Sequence, residues 1–539
     1  MPFPIFAFMK IVKPYIILTL CWLSFLYSSA QTFNLPIDDN LPKFIEENYY
    51  SNLQNHTVIR PLQINISKYQ DLLDSNFLNK ENKKWLFDKN FISAVNTKNG
   101  LFINPVLTNI SKLNEGFFTE NGITAMAWLG KNFSANFTGT FVYTQPKYKK
   151  KFAPYEDIFI PHFGKAEKYS SFYTYLNLTG YLSYQVADFM NLQVGRDKVF
   201  FGDGYRSLFI SDNSNAYPFF KGTVDIWKIK YTILYSYFHE KDSLDALDFG
   251  AKKYSSSHIL SWNIGKRLNF NVFETVIWQG KDSLGNRGFD VNYLNPIIFY
   301  RPVEFSLGSP DNVIMGFGGR IRIFKTTHLY GQFLLDEFKL SELKANKGWW
   351  ANKFGIQAGV KTFKLFGIEN LYALGEINIV KPFTYSHWSY MDNYGNSSQP
   401  LAHPLGANFA EGIINIRYKI DRWQINSILK KYAIGADYDT LNMGFNIYRS
   451  YNDNVNPFRN KLLQGQKYKV SSIELSFDYI LNPKWMLAFK FGFRFDFVSI
   501  QNVNQSTSSI LPVSGYSQNW NQFVFLGLST NIGNREWLY

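Results

Sequence analysis

From Ala488 to Val498 five phenylalanines, Phe489, Phe491, Phe493, Phe495 and Phe497, alternate strictly with Lys490, Gly492, Arg494 and Asp496. In a β-strand successive side chains point to opposite faces, so the rings share one face and the charges the other. Such a strand either lines a two-sheet sandwich or separates lipid from an aqueous lumen. Repetition favours the second. Phe354, Ile356, Ala358 and Val360 alternate with Gly355, Gln357, Gly359 and Lys361, and Ile414, Ile416, Tyr418 and Ile420 with Asn415, Arg417, Lys419 and Asp421. Ile473, Leu475, Phe477 and Tyr479 oppose Ser472, Glu474, Ser476 and Asp478 in the same way. A tilted strand needs about 9 to 11 residues to cross a bilayer.

The connections alternate in length. Asn482-Pro483-Lys484 and the neighbourhood of Lys419 to Arg422 are short, whereas Thr144 to Ser170, Lys381 to Ala410 and Gly435 to Gln466 are long and polar. This asymmetry predicts extracellular loops and periplasmic turns. Counting segments from Gly122 predicts an all-β fold, a transmembrane antiparallel β-barrel of about 18 strands. Its last strand is expected over Phe523 to Thr530, before the aromatic ending Trp537-Leu538-Tyr539. The 35 Tyr, 51 Phe and 13 Trp make 18% of the chain, while mean hydropathy stays slightly negative. Lipid-facing rows and interfacial girdles use that many rings. No apolar run beyond Ala30 matches the roughly 20 residues of a spanning helix, which leaves a closed barrel as the membrane-crossing option.

Residues 1–30 read as a signal peptide. Lys10 and Lys13 precede an apolar run from Tyr15 to Tyr27, and Ser28-Ser29-Ala30 supplies small residues before Gln31. Met9 is a second candidate start. The single cysteine, Cys21, lies in this segment, so the mature chain is expected to have no thiol chemistry. The chain holds 56 basic and 42 acidic residues, and removing Lys10 and Lys13 with no acid leaves 54 and 42, a net charge of +12. The excess suits an anionic partner without choosing among nucleic acid, anionic lipid and acidic polysaccharide. Residues 31–113 show helical spacing at Leu41, Phe44 and Ile45, then at Leu72, Leu73 and Phe77, which predicts a small, partly helical periplasmic or plug segment. The alternatives are a flexible export tail or, around Leu101 to Thr108, one extra strand. The barrel is placed at 114–539.

Motifs of catalysis are lacking. There is no HExxH or other metal spacing, no Gly-rich phosphate loop ahead of a helix, and no nucleophile with its base, so neither a cofactor nor a metal is expected. His387, His403 and Glu411 come closest, on one loop system, but Pro404 beside His403 suggests a rigid turn. Basic residues are scattered over strands and form no nucleic-acid face.

Three stretches concentrate polar groups. The first, GRDKVFFGDGYRSLFISDNSNAYPF from Gly195 to Phe219, holds Arg196, Asp203, Arg206, Asp212 and Asn213 around Gly202 and Gly204. The second, NPIIFYRPVEFSLGSPDNVIMGFGG from Asn295, holds Arg301, Glu304, Asp311 and Asn312. The third, Phe383 to Glu411, includes Tyr385-Ser386-His387 and LAHPLGANFAE from Leu401. The first resembles the strand, glycine-flanked turn and Ser-Asn segment of the capsule-assembly Wzi family, with Phe201 and Asp203 where that pattern has tryptophan and proline. The second and third resemble the gliding-motility RemB family of Bacteroidetes.

The resemblance implies a non-enzymatic protein of the Gram-negative outer membrane that anchors or organises surface or capsular polysaccharide and supports gliding or adhesion. Outer-membrane lipid and gliding-machinery proteins would be its other partners. Sugar contacts are then expected from the rings of Tyr205, Tyr217, Trp388 and Tyr394, and from Arg196, Asp203, Arg206, Asp212, Asn213, Arg301, Glu304, Asp311, Asn312, His387 and Asn393. Each of these also has a plain structural reading as a turn, a lumenal ion pair or a loop residue. The alternative function is an anion-preferring porin lined by Lys361, Arg417, Lys419, Lys490 and Arg494.

Overall fold

The computed structural model describes residues 32–530 apart from 36, 38–42, 53, 78–88, 97, 114–115, 147–158, 241–250, 283–284, 298–310, 439–440, 455 and 504–513. The expected signal peptide and the aromatic C-terminus lie outside the described residues.

Eighteen antiparallel strands close into a barrel. They are β1 (Asn99–Lys112), β2 (Gly116–Leu129), β3 (Phe133–Pro146), β4 (Phe172–Ala187), β5 (Met190–Asp197) and β6 (Tyr217–Ile226). Next come β7 (Ile229–Glu240), β8 (Ala251–Ile264), β9 (Leu268–Gln279), β10 (Asn312–Arg322), β11 (Thr327–Glu337) and β12 (Lys353–Thr362). The last six are β13 (Leu371–Val380), β14 (Phe409–Ile420), β15 (Trp423–Ala436), β16 (Gln466–Asn482), β17 (Leu487–Val503) and β18 (Ser514–Ser529). Each strand pairs with its neighbours in sequence, and β18 pairs with β1 from Phe525↔Lys112 to Ser529↔Thr108. The seam leaves no open edge, so every strand finds backbone partners inside the wall, as a bilayer requires.

The period-two pattern sets the two faces. Phe489, Phe495, Ile356, Val360, Ile414, Ile416 and Ile473 are exposed on the outside, whereas Gly492, Arg494, Asp496, Gln357, Lys361, Asn415, Arg417 and Asp478 are buried inside. Trp227, Trp262, Trp423, Phe324 and Phe366 stand exposed in or beside the short turns, the position of an interfacial girdle. An apolar exterior around a polar interior is the arrangement of a membrane-spanning barrel, and the architecture is that of Gram-negative outer-membrane proteins. No described helix is long and apolar enough to cross a membrane.

Short turns fall between β4 and β5, β6 and β7, β14 and β15, and β16 and β17; the long connections lie at the opposite end. The barrel begins at Asn99, upstream of the division expected at 113/114, and β1 contains the Leu101 to Thr108 stretch. Its alternation is blurred because its inward positions do not face water. Phe102 packs on Trp128 with ring centroids 5.2 Å apart, and both join a cluster with the lumenal N-terminal segment.

That segment fills part of the lumen. Thr32–Asn34 pairs with Gln63–Asn65, and two helices follow in sequence, α1 (Lys43–Ser51) and α2 (Ile66–Phe77). Phe33, Leu35, Ile45, Leu62, Ile64, Tyr69 and Leu73 form its apolar nucleus, which leans on Trp128, Ile480 and Ala488 of the wall. Glu47 of α1 lies 3.5 Å from Lys364 in the turn after β12, which places the segment at the short-turn end.

Candidate functional site

Residues 198–216 connect β5 to β6 at the long-loop end, yet they turn into the barrel instead of outward. Phe200–Phe201 forms a two-stranded antiparallel bridge with Ile59–Arg60 of the N-terminal segment. An insert from each end of the barrel therefore meets the other inside it.

Side chains from the far wall bind the backbone of this inserted loop. Glu376 on β13 accepts hydrogen bonds from the Tyr205 and Arg206 amides at 2.8 and 3.0 Å, and from the Tyr330 hydroxyl at 2.7 Å. Gln332 on β11 accepts from the Leu208 amide at 2.8 Å and donates to the Phe201 carbonyl at 2.9 Å. Gln357 on β12 donates to the Arg206 carbonyl at 2.8 Å. Gly204 is required for this approach, because a Cβ there would lie 2.5 Å from Glu376 Oε2 and 2.7 Å from the Arg206 carbonyl. Its role is close packing against the wall.

Charges complete the docking. The Arg206 guanidinium lies 3.3 Å from Glu411 on β14, and His403 Nε2 lies 2.7 Å from the same carboxylate. Asp203 accepts from the Tyr50 hydroxyl at 2.8 Å and from Thr57, and Lys361 donates to the Tyr50 oxygen at 2.6 Å and to the Asp203 carbonyl. Burial raises the Asp203 carboxyl, but Arg320, Lys361 and Arg60 with the Thr57 bond hold it below its ordinary value. Burial similarly opposes ionisation of Glu46 on α1, and Lys43, Lys361 and Arg60 overcome it and keep the carboxyl low.

The connection 381–408 lies over the inserted loop. Ser211 donates to the Ala402 carbonyl, and Asn213 donates to that of Pro400 at 2.9 Å. Lys253 on β8 donates to the carbonyl and to Oδ1 of Asn393 at 3.1 Å each, and lies 3.5 Å from Glu240. Asn312 donates to the Asp392 carbonyl at 2.8 Å. Asp311 accepts from Arg287 at 2.6 and 2.8 Å and from the Tyr293 hydroxyl at 2.6 Å. Burial and the neighbouring Asp311 push the Asp392 carboxyl up to about 7, whereas burial and Lys353 hold the His387 imidazole down at about 3.

Most of the expected sugar contacts are thus parts of the docking. Asp203, Arg206, Asp212, Asn213, Tyr205, Tyr217, Asp311, Asn312, His387 and Tyr394 are all buried. Tyr217 packs edge-on against Phe238, and Tyr394 stacks on Tyr385. Arg196 bonds across the wall to the Leu178 carbonyl and the Tyr175 hydroxyl. Arg301 and Glu304 lie outside the described residues. Trp388 stands apart, with 42% of its surface exposed. The physical reason is ordinary: a dense polar stretch inside a barrel satisfies itself, because a buried polar group without a partner is costly. His403 and Glu411 do meet, while His387 instead packs edge-on to Tyr451 with centroids 5.7 Å apart.

The porin cations are also engaged. Lys490 and Arg494 pair with Asp478 and Asp496 at 3.6 and 2.8 Å, Lys361 holds Tyr50, Lys419 lies over the Phe44 ring, and Arg417 bonds Asn415 at 3.2 Å. A cavity of about 250 Å³ persists beside β1 to β5, between Lys484 to Met486 at the short-turn end and His162, Phe163 and Asp212 toward the loops.

At the rim, half-buried Trp349, Trp350 and Tyr451, which sequence reasoning missed, join the expected His387 and Trp388. Trp349, Trp350, Tyr451, His387 and Trp388 form an aromatic chain, with Trp350 and Tyr451 centroids 4.7 Å apart. The Trp-Trp pair was the available signal, but it lies outside all three polar stretches.

No family model matches the sequence, and no curated protein matches it. Among solved structures the chain is similar to Wzi of Escherichia coli, described as an outer membrane protein involved in group 1 capsule assembly and as a carbohydrate-binding β-barrel. The TM-score is 0.52 at 12% identity, covering 92% of this chain and 99% of Wzi. It is also similar to the Pseudomonas aeruginosa proteins OprD (TM-score 0.39, 9% identity, 84% and 98% covered) and OccD3 (0.41, 8%, 85% and 97%). The likeness to Wzi extends over the whole barrel and concerns the fold.

Proposed function

We propose that this protein is a non-enzymatic outer-membrane barrel that holds surface polysaccharide at its long-loop end, with the lumen serving as scaffold. The observation that carries the reading is the bridge between Ile59–Arg60 and Phe200–Phe201, fixed to the far wall by Glu376, Gln332 and Arg206. A lumen crossed by two mutually bonded inserts supports the loops above it, and it leaves the rim as the surface on which a ligand can be met. The sugar class is taken from the description of Wzi and from the sequence resemblance. On the rim, exposed Trp388 offers the flat apolar face that sugar rings stack on, with half-buried Trp349 and Trp350 nearby in the same aromatic chain. A role in gliding or adhesion rests on the resemblance of residues 295–319 and 383–411 alone.

A conducting barrel is the second reading, and the cavity beside β1 to β5 favours it. Planar-bilayer recordings combined with retention of labelled polysaccharide by expressing cells separate the two. The scaffold reading expects a silent bilayer and polysaccharide that is released when the protein is removed. A large stable current with unchanged retention would establish the channel instead.

A further inference from the structure

We infer that the recess formed by residues 442–467 at the long-loop end is a binding site for an acidic sugar, with Arg459, Lys461 and Lys467 meeting the carboxylate. This rests on the proposed polysaccharide function and adds to it a place and a charge.

The recess has a volume of about 310 Å³, and its lining includes Arg459, Lys461 and Lys467 with Asn456, Asn460 and Phe458, but no carboxylate among the described residues. Several lumenal cations sit against acids: Arg206 on Glu411, Lys253 on Glu240, Arg287 on Asp311, Lys353 on Asp336 and Arg494 on Asp496. These three cations have no ion-pair partner among the described residues, so their charge is directed to what enters from outside. Arginine and lysine facing a carboxylate give the stronger, charge-assisted hydrogen bonds. The amide of Asn456 suits hydroxyl groups, and the exposed ring of Phe458 suits the C–H face of a pyranose, while the Asn460 amide is spent on holding the recess through the Asn456 carbonyl and Gln464. A simple anion would use the cations alone.

The recess is also held in shape. The Asp437 carboxylate accepts from the Met443, Phe445 and Asn446 amides at 2.6, 3.2 and 3.1 Å. Asn408 donates to the Gly435 and Gln464 carbonyls at 2.6 and 2.9 Å and accepts from the Leu463 amide at 2.7 Å. The Arg459 and Asn460 amides donate to the Lys347 and Gly348 carbonyls of the neighbouring connection at 2.8 and 2.9 Å. Arg459 and Leu463 keep left-handed backbone angles, φ +67° and +61°, inside this bonding. A site ordered before its ligand arrives loses less entropy on binding.

The test uses the full-length protein in detergent, an oligogalacturonate of defined length as probe, a dextran oligomer of equal length as uncharged control, and inorganic phosphate as competitor. Binding is expected for the oligogalacturonate, weakening as salt is raised. Each change Arg459→Gln, Lys461→Gln or Lys467→Gln should weaken it about tenfold, ~1.4 kcal/mol, whereas Lys266→Gln at the short-turn end should not. Equal affinity of the triple variant and the parent, equal binding of dextran, or full displacement by equimolar phosphate would each overturn the assignment. Host lipopolysaccharide in vesicles and released host polysaccharide, tested as separate competitors, identify which of the two carries the acidic sugar. Cells settle the dependence on the wider reading. Retention lost without the protein but kept by the triple variant sinks the recess alone, while retention unchanged without the protein sinks the polysaccharide function.

Discussion

The Lys361 ammonium, on the inner face of β12, lies 2.6 Å from the phenolic oxygen of Tyr50 on α1 of the lumenal N-terminal segment. Tyr50 passes its own proton toward Asp203 at 2.8 Å, so wall, N-terminal segment and inserted loop are joined through one hydroxyl. Tyr50→Phe removes both bonds and should loosen the plug by about 1 to 3 kcal/mol. Hydrogen exchange over residues 43–65 and 198–216 should quicken together while the wall stays protected. Unchanged exchange in both segments would show that the junction is incidental.

Arg206→Ala should be more severe. It leaves Glu411 buried with His403 and the Asn378 amide as its remaining partners, and breaking a buried pair from one side costs about 3 to 5 kcal/mol. The expected result is an inserted loop open to protease on a barrel that still migrates as a folded species in unheated detergent gels. Full protection of residues 198–216 in this variant would argue against the docking role.

The faces of β17 are tested by Phe493→Arg, which puts a charge into lipid and should cost about 2 to 4 kcal/mol near the midplane. Gly492 is expected from the alternation to accept arginine because it faces the lumen, but a Cβ there would lie 2.3 Å from the Phe525 ring and 2.6 Å from the Leu475 carbonyl. Ser472→Lys is the better lumenal control, since Ser472 donates to Asp496 at 2.6 Å. Equal folded yields for Phe493→Arg and Ser472→Lys would reverse the faces.

Two neighbouring groups, His387 and Asp392, 3.9 Å apart, pull the pH response of the connection 381–408 in opposite directions. The His387 imidazole is held at about 3 against an ordinary value near 6.5. The unfolded segment therefore binds a proton that the docked one refuses, and docking loses stability as pH falls from about 6.5 toward 3. Asp392, raised to about 7, acts oppositely, favouring docking at low pH and losing that contribution as pH rises from about 4 to 7. His387→Gln should shift the onset of protease cleavage in this segment to lower pH, and Asp392→Asn should reduce the loss toward neutrality. Because the two contributions oppose each other between about pH 4 and 6.5, the single variants carry the test, and His387→Gln and Asp392→Asn cleavage profiles that both match the parent's would remove both groups from the account.

Strands and faces were legible because lipid imposes one rule on every outward position, as the Phe489 to Phe497 row demonstrates. Where that rule lapses, legibility lapses with it. Phe102, Trp128 and Phe118 point inward, yet they are apolar because the N-terminal segment and the connection near Phe163 cover them. That reversal hid β1 and the start of β2, and the count of eighteen was reached from Gly122 although the barrel opens at Asn99. The polar stretch around Arg206 was visible as unusual, but its partners Glu376 and Glu411 lie 170 and 205 residues away. No local pattern distinguishes a carboxylate-seeking arginine from a sugar-seeking one. The rim recess was illegible for the same reason, since its asset is three cations that meet no acid among the described residues.

The seam between β18 and β1 gives the molecule a chronology. Ser529 meets Thr108 and Phe525 meets Lys112, so no circumference exists until the last strand has been delivered beside the first. The Ile59–Arg60 bridge inside the barrel is drawn from residues preceding that seam by about fifty positions, and its partner Phe200–Phe201 follows directly on the fifth strand. The two inserts are therefore available to each other while the cylinder is still an open sheet. Their anchors Gln332, Glu376 and Glu411 come later in the chain, so closing the seam and fastening the contents draw on the same second half of the wall.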